Sequence, residues 1–424
     1  MRALALTDAD RDMLGGAAGD GTAFAMRLVV RAAEATDAER LIDVTSAHVD
    51  SCLYHGQATL DFADRLVAGG ARVRVPTTLN AGGVDLLHPE LWRGDAALAE
   101  RSRDLMERYR ALGGRPTFTC APYQLGVARP SLGEQVAWGE SNAIVFCNSV
   151  LGARTNRYGD FLDIAAAITG RVPDAGLHRT ESRRATLVLR LADDVPTALR
   201  DAGELYPVLG HVLGKRAASS IAAIDGLPPR LSEDRLKALG AAAASGGSVA
   251  MFHAVGSTPG APTLDAALDG VDASVEMVTL GELRAARDEL STAVGERLAA
   301  VSLGTPHASL AELAEYAGLL GGRTVAPGVE LLISTGRDTL ATARGSGLAT
   351  ALTDAGAELL VDTCSYIAPI LRRSEGAVMT DSAKWAYYAP GNVGVAVWLA
   401  SRRDCIESAI AGRAVRDLSA WGGA

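Results

Sequence analysis

Apolar residues along the chain fall into short runs, each closed by a polar turn. The runs that read as strands are 40–48 (RLIDVTSAH), 71–80 (ARVRVPTTLN), 116–123 (PTFTCAPY), 143–153 (AIVFCNSVLGA), 185–191 (ATLVLRL), 248–259 (SVAMFHAVGSTP), 298–307 (LAAVSLGTPH), 329–336 (VELLISTG) and 357–364 (AELLVDTC). Between many of them the apolar spacing changes to that of an amphipathic helix, as in 59–70 (TLDFADRLVAGG), 97–114 (ALAERSRDLMERYRALGG) and 348–357 (LATALTDAGA). A helix over 7–14 opens on Thr7, with Asp10 three residues on as a weak capping box. The glycines at 15, 16, 19 and 21 follow no strand, so a dinucleotide loop is set aside.

Short strands alternating with helices predict an α/β fold: several α/β/α layers with largely parallel sheets around a cleft. Such sheets bind ligands beyond the carboxyl ends of their strands. The polar tails TSAHVD, PTTLN, TCAPY, NSVLGARTNR, GSTP, GTPH, STGRDT and DTCSY all lie there and should share that cleft. No clear internal repeat or low-complexity linker divides the chain, and 227–234 (LPPRLSED) is the best candidate joint.

Composition narrows the classes. With 424 residues, 48% of them hydrophobic, the chain has material for one large core or several smaller ones. A net charge of −9 without a basic run argues against a nucleic-acid surface. No apolar stretch approaches the ~18 residues of a membrane span, and the N-terminal stretch lacks a signal-peptide pattern, so a cytoplasmic protein is expected. Five cysteines, odd in number and widely spaced, do not suggest a disulfide framework. Thiols converging in such a protein would mean metal or catalysis.

Cys120, Cys147 and Cys364 lie at the ends of expected strands and are candidate metal ligands; their alternative is the small buried hydrophobe that free cysteine commonly is. Cys52 and Cys405 are left to packing in expected helices. Arg154 and Arg157, with Thr155 and Asn156 between them, read as a bidentate carboxylate or phosphate clamp, or else as a surface turn. Further polar candidates are Ser46, His48 and Asp50, then Thr77, Thr78 and Asn80, and Glu140, Ser141 and Asn142. Lys384, one of three lysines, sits near Ser382 in TDSAKW and either binds an anionic group or pairs with Asp381.

In order along the chain, TSAHVDSCLYHG, VPTTLN, TCAPYQ, WGESNA, NSVLGARTNRYGDFLD, MFHAVGSTP, LGTPHASLAEL, VDTCSY and TDSAKWAYYAPGNVG resemble the large subunit of aconitase X, a branch of the aconitase superfamily. The resemblance covers nearly the whole chain, and NSVLGARTNR is its most specific stretch. It implies a catalytic region over 1–417 followed by a short tail, 418–424. It further implies α/β domains around a cleft that a small swivelling domain completes. That domain is absent from this chain, so a small swivel-domain partner subunit is expected. Members are dehydratases, acting on cis-3-hydroxy-L-proline in bacteria and mevalonate 5-phosphate in archaea, with an iron–sulfur cluster.

In the archaeal-type pattern the turn at 304–307 reads Gly-Cys-Pro-His, its cysteine a cluster ligand. Here the position is Thr305, which has no thiol. Either Cys147 replaces the missing sulfur beside Cys120 and Cys364, holding a [2Fe–2S] or [4Fe–4S] cluster, or the cluster is absent and the chemistry differs. Pro306 aims His307 inward as a donor to substrate, unless His307 caps the next helix. By resemblance, Arg154 and Arg157 grip a carboxylate substrate, with Thr77, Thr78 and Asn80 as further donors. An open iron site then polarises the hydroxyl, and a base from the swivel domain takes the α-proton. A phosphorylated substrate, a cluster-free lyase or isomerase, and a binding module are the alternatives.

Overall fold

The computed structural model describes residues 4–126, 129–372 and 375–422. Its strands are β1 (Leu41–Asp43), β2 (Ala47–Val49), β3 (Thr77–Leu79), β4 (Ala137–Trp138), β5 (Arg171–Pro173), β6 (Leu187–Leu191), β7 (Ala222–Asp225), β8 (Phe252–Ala254), β9 (Ser274–Val278), β10 (Leu298–Ala308), β11 (Glu330–Thr335), β12 (Ala357–Leu360), β13 (Ala377–Thr380) and β14 (Val397–Leu399). β1 and β5 form an antiparallel ribbon. The others build three all-parallel sheets, in the orders β3-β2-β4, β8-β7-β6-β9 and β12-β11-β10-β13-β14. Helices cover most of them, and most strands accordingly read as near-continuous apolar runs, β10 being buried throughout while the edge strand β9 is largely exposed.

All three orders reverse, and two of the reversals lie beside the candidate site residues. In the large sheet the chain moves outward from β10 through β11 and β12, then returns to lay β13 and β14 on the other side of β10. In the small sheet β3 and β4 likewise flank β2. At each reversal the loops leaving neighbouring strands part in opposite directions and open a crevice at the carboxyl edge. Apolar clusters hold the layers: one under the small sheet, one around β6–β9 that reaches Trp385, and one behind the large sheet. Each fully buried Leu, Ile or Val contributes ~1.5–3 kcal/mol, so both carboxyl edges rest on rigid supports.

The Thr7–Asp10 capping box forms. Two expected strands do not. Residues 143–153 fall in the helix Ser141–Phe146 and a π-helical turn, Cys147–Leu151. A short unbroken apolar run fits a buried helix as well as a strand, and the Glu140 carboxylate caps this one by accepting from the Ala143 N–H. At 116–123 the positive φ of Phe118 (40°) breaks extension, and Pro122 begins a 3₁₀ turn. The segment 227–234 leads from β7 into the helix Glu233–Gly246, inside one sheet layer rather than between layers. The supposed tail is anchored: Trp421 is buried and its carbonyl accepts from Arg284 Nε at 2.9 Å. Among the described residues no helix is long and apolar enough to cross a membrane.

Candidate active site

β10 ends in the turn Gly304-Thr305-Pro306-His307. Gly304 has φ +80°, and a Cβ there would stand 2.1 Å from the Ser334 carbonyl oxygen, so only glycine fits. The Thr305–Pro306 peptide is cis. Beyond it the His307 ring is fully buried, with Nε2 3.1 Å from the Thr363 carbonyl and Nδ1 3.0 Å from Thr119 Oγ1. A carbonyl only accepts, so Nε2 carries a proton, while Nδ1 faces the threonine hydroxyl. The His307 main-chain N–H donates to Cys120 Sγ at 3.2 Å. Ser309, not His307, caps the helix Leu310–Leu320, in a capping box with Glu312.

Cys120, His307 and Cys364 come together: one ligand atom from each lies within 4.8 Å of the others, and all three residues are buried. Burial opposes a thiolate at Cys120, yet the Cys364 thiol bonded to it, with His307 and Lys384 nearby, brings its pKa down to about 6. The hydrogen bond to Cys120, then burial, push Cys364 well up. Two sulfurs, a main-chain N–H on one of them, and an imidazole whose far N–H is fixed on a carbonyl fit a soft metal centre. Cys147 does not join them. It lies in the π-helical turn, in a cluster with Phe146, Tyr123 and Trp138, and burial drives its thiol up. Its run is helical, so Cys147 does not emerge at a strand's carboxyl end.

Lys384 is buried and paired, not with Asp381, but with buried Glu140. Asp381 binds Arg402 instead, at 3.1 Å. Burial works against both charges, but each holds the other ionised: Lys384 lies well above the usual lysine range and Glu140 below the usual carboxylate range, helped by N–H groups of Ala143 and Asn142. Glu140 sits at φ +64°, a costly conformation for a residue with a side chain. Asn142 donates to Glu140 and, at 2.7 Å, to the Cys120 carbonyl.

The array continues across the small sheet. His48 Nδ1 lies 2.8 Å from Thr78 Oγ1, and burial lowers the His48 pKa to about 4. Asn80 donates to Asp50, the third polar candidate of the TSAHVD tail. Asp50 immediately follows β2, and its main-chain N–H donates to Asp163 Oδ2 at 2.7 Å. Ser141 Oγ lies 3.3 Å from Glu140, and Ser46 is half-buried just before β2. Thr119, Thr363 and Asp163 lie inside the stretches TCAPYQ, VDTCSY and NSVLGARTNRYGDFLD, but sequence reasoning did not single them out as site residues.

Other expected site residues are absorbed locally. Thr77 Oγ1 donates to the Val75 carbonyl, and Ser382 caps the helix Ala383–Asn392. The Trp138 N–H donates to Thr155, and Asn156 ties Ala175 to Leu177. Arg154 donates to the His178 carbonyl and Thr180 Oγ1, while exposed Arg157 reaches toward the Val249 carbonyl at 3.4 Å. The two guanidinium groups hold separate loops and form no joint clamp. Thr305 is buried and lines a cavity of about 450 Å³ with Ser382, Lys237, Glu312 and Arg402.

Protein-family models for the first, second and third domains of aconitase X match residues 3–181, 185–288 and 298–411. The chain is 44% identical over 420 residues to a cis-3-hydroxy-L-proline dehydratase of Pseudomonas aeruginosa, spanning 97% of this chain and 71% of that protein. A protein of the same name from Hypocrea jecorina is 40% identical, over 96% of this chain and 69% of its own. A phosphomevalonate dehydratase large subunit of Methanothermobacter thermautotrophicus is 37% identical, over 90% and 93%. The crystal structure of Thermococcus kodakaraensis aconitase X in its holo-form superposes with a TM-score of 0.85 at 33% identity, covering 96% of this chain and all of that one. With three domain matches in register and relatives aligned over nearly its full length, this chain belongs to the aconitase X family.

Proposed function

We propose that this chain is the catalytic part of a hydro-lyase that removes water from cis-3-hydroxy-L-proline to give a pyrroline-2-carboxylate. The observation that carries the reading is the buried Cys120–His307–Cys364 group beside the Glu140–Lys384 pair, in a chain 44% identical to a dehydratase of that name. When bound, an iron–sulfur centre, [2Fe–2S] or [4Fe–4S], held by Cys120, Cys364 and His307, supplies a Lewis acid for the departing hydroxyl.

The chain's own residues orient and hold protons. Lys384 and Glu140 are fixed charges that need no rearrangement during the reaction. Ser46 and Ser141, both half-buried, offer hydroxyls to the substrate, and Asn80 and His48 offer an amide and a neutral imidazole. Buried Lys384 and Lys237 are each already matched, by Glu140 and Glu312. Such a site suits a zwitterionic amino acid better than a phosphate dianion, and this favours the hydroxyproline over mevalonate 5-phosphate.

A small swivel-type partner subunit completes the site and brings the base for the α-proton; the name "large subunit" borne by archaeal relatives supports such a partner. Five buried free thiols suit a reducing compartment, and we assign the chain to the cytoplasm.

The test is anaerobic purification with the small partner, a visible spectrum with iron and sulfide assays, and turnover on a panel of hydroxyprolines. Brown protein that dehydrates the cis-3 isomer is expected. Colourless, iron-free protein with full turnover removes the Lewis acid. Turnover of mevalonate 5-phosphate alone replaces the substrate.

A further inference from the structure

The polar array at the carboxyl edge of β2, β3 and β4 has hydrogen-bonding capacity that its own contacts leave unused. His48 Nε2 and Asn80 Oδ1 are buried without a well-formed hydrogen bond, although the two side chains lie within reach of each other, and both residues are more than nine-tenths buried. Asp50 lies among them and keeps part of its surface open, while His48, Asn80, Glu140 and Asp163 are closed off. Its position is tightly set. Asn80 Nδ2 donates to its carboxylate, and a Cβ on Gly139 would stand 3.2 Å from its own Cβ. Two residues with side chains are held at positive φ around it: Glu140 at 64° and Phe161, whose N–H donates to Ser51, at 77°. Strain of this kind persists where the surroundings over-determine a geometry, commonly at functional sites.

We propose that Asp50 is a catalytic residue of this chain, the general acid that protonates the departing hydroxyl, with His48 Nε2 and Asn80 Oδ1 binding the polar groups of the substrate beside it. The assignment rests on the dehydratase reading.

The groups facing Asp50 favour a protonated carboxyl. Glu140 from the end of β4, Asp160 from the preceding loop and Asp163 from the helix Leu162–Thr169 are all acidic; burial, then these three, raise its pKa to about 8 against the hydrogen bond from Asn80. Lys384 is taken up by Glu140, and burial keeps His48 and Cys52 uncharged near neutral pH.

In the step, the Asp50 O–H bond breaks and its proton goes to the substrate hydroxyl oxygen. The C3–O bond breaks with its electron pair, and water leaves. The electrons of the Cα–H bond, whose proton goes to a separate base, become the new double bond. Asp50, left as a carboxylate, regains its proton from solvent.

The test compares wild type, Asp50→Asn and Asp50→Glu, each with the small partner, on cis-3-hydroxy-L-proline. Asp50→Asn should lose ~100-fold or more in kcat, with KM within about threefold and the visible spectrum unchanged. Wild-type kcat should fall as pH rises through about 8, and Asp50→Glu should restore part of the rate. Asp50→Asn turnover within about threefold of wild type overturns the assignment. A wild type that dehydrates no hydroxyproline overturns the dehydratase reading instead. In that case the infrared band of a protonated carboxyl, present at neutral pH and lost in Asp50→Asn, still supports the proton-holding role. Asp50 ionised at neutral pH refutes it.

Discussion

Lys384, in the first turn of the helix after β13, forms a buried ion pair with Glu140, two residues beyond β4, and so ties the carboxyl edges of two sheets together. Removing one partner strands the other charge without water. Lys384→Met should cost ~3–5 kcal/mol in urea unfolding, and Lys384→Met/Glu140→Gln should recover much of that. Because the Glu140 pKa is depressed, its contribution is present above the ordinary carboxylate pKa and lost as pH falls through the folded value. Glu140→Gln should therefore flatten the acid side of the stability curve. A Lys384→Met loss under about 1 kcal/mol would mean that the pair is no strut.

Cys120→Ser and Cys364→Ser should each abolish visible colour and bound iron, because they remove sulfurs from the three-residue group. Cys147→Ser should keep both, since that thiol lies in a separate apolar cluster. Iron analysis of the three proteins, purified side by side, decides it. Colour lost with Cys147 alone would reverse the assignment.

Gly304→Ala places a methyl 2.1 Å from the Ser334 carbonyl at a φ of +80°, so main chain must move. We expect a loss of at least ~3 kcal/mol and reduced iron occupancy, because His307 rides on this turn. A folded, fully loaded Gly304→Ala protein would contradict the close approach.

His178 is buried between Tyr158 and Gln135, and its pKa is lowered to about 4, burial being the main cause. The unfolded chain binds this proton near pH 6.5 and the folded one does not. Stability from His178 is thus fully present above about 6.5 and falls toward pH 4, by up to roughly 3 kcal/mol. The stability gap between wild type and His178→Asn should shrink as pH falls through that window, which urea titrations at several pH values will measure.

Arg154→Ala should behave as a structural change, costing ~1–2 kcal/mol through lost bonds to the His178 carbonyl and Thr180. KM for a carboxylate substrate should stay near wild type. A large KM rise would restore the guanidinium to the substrate.

Parallel α/β layers were legible because apolar runs ended on polar tails, and Cys120, Cys364 and His307 stood at such ends. Lys384 stood out through the scarcity of lysine. Cys147 and the Arg154–Arg157 stretch misled because local sequence does not reveal which polar groups satisfy one another: Thr155 and Asn156 serve Trp138 and Leu177, and Arg154 serves a remote loop. Strand β13, which positions the Lys384 helix, went unread because it is short and follows a long irregular connection. Asp50 was visible as a polar candidate beside Ser46 and His48 but not as a proton-holding group, since that character comes from burial and from Glu140, Asp160 and Asp163, residues far along the chain.

Cys120 comes from the first half of the polypeptide and His307 from the second, and Cys364 arrives on the loop after β12. For the proposed iron–sulfur centre, a nascent chain leaving the ribosome therefore has no preassembled pocket in its N-terminal half. Delivery must wait until translation has passed Cys364 and the two halves have docked, which makes loading a late maturation step.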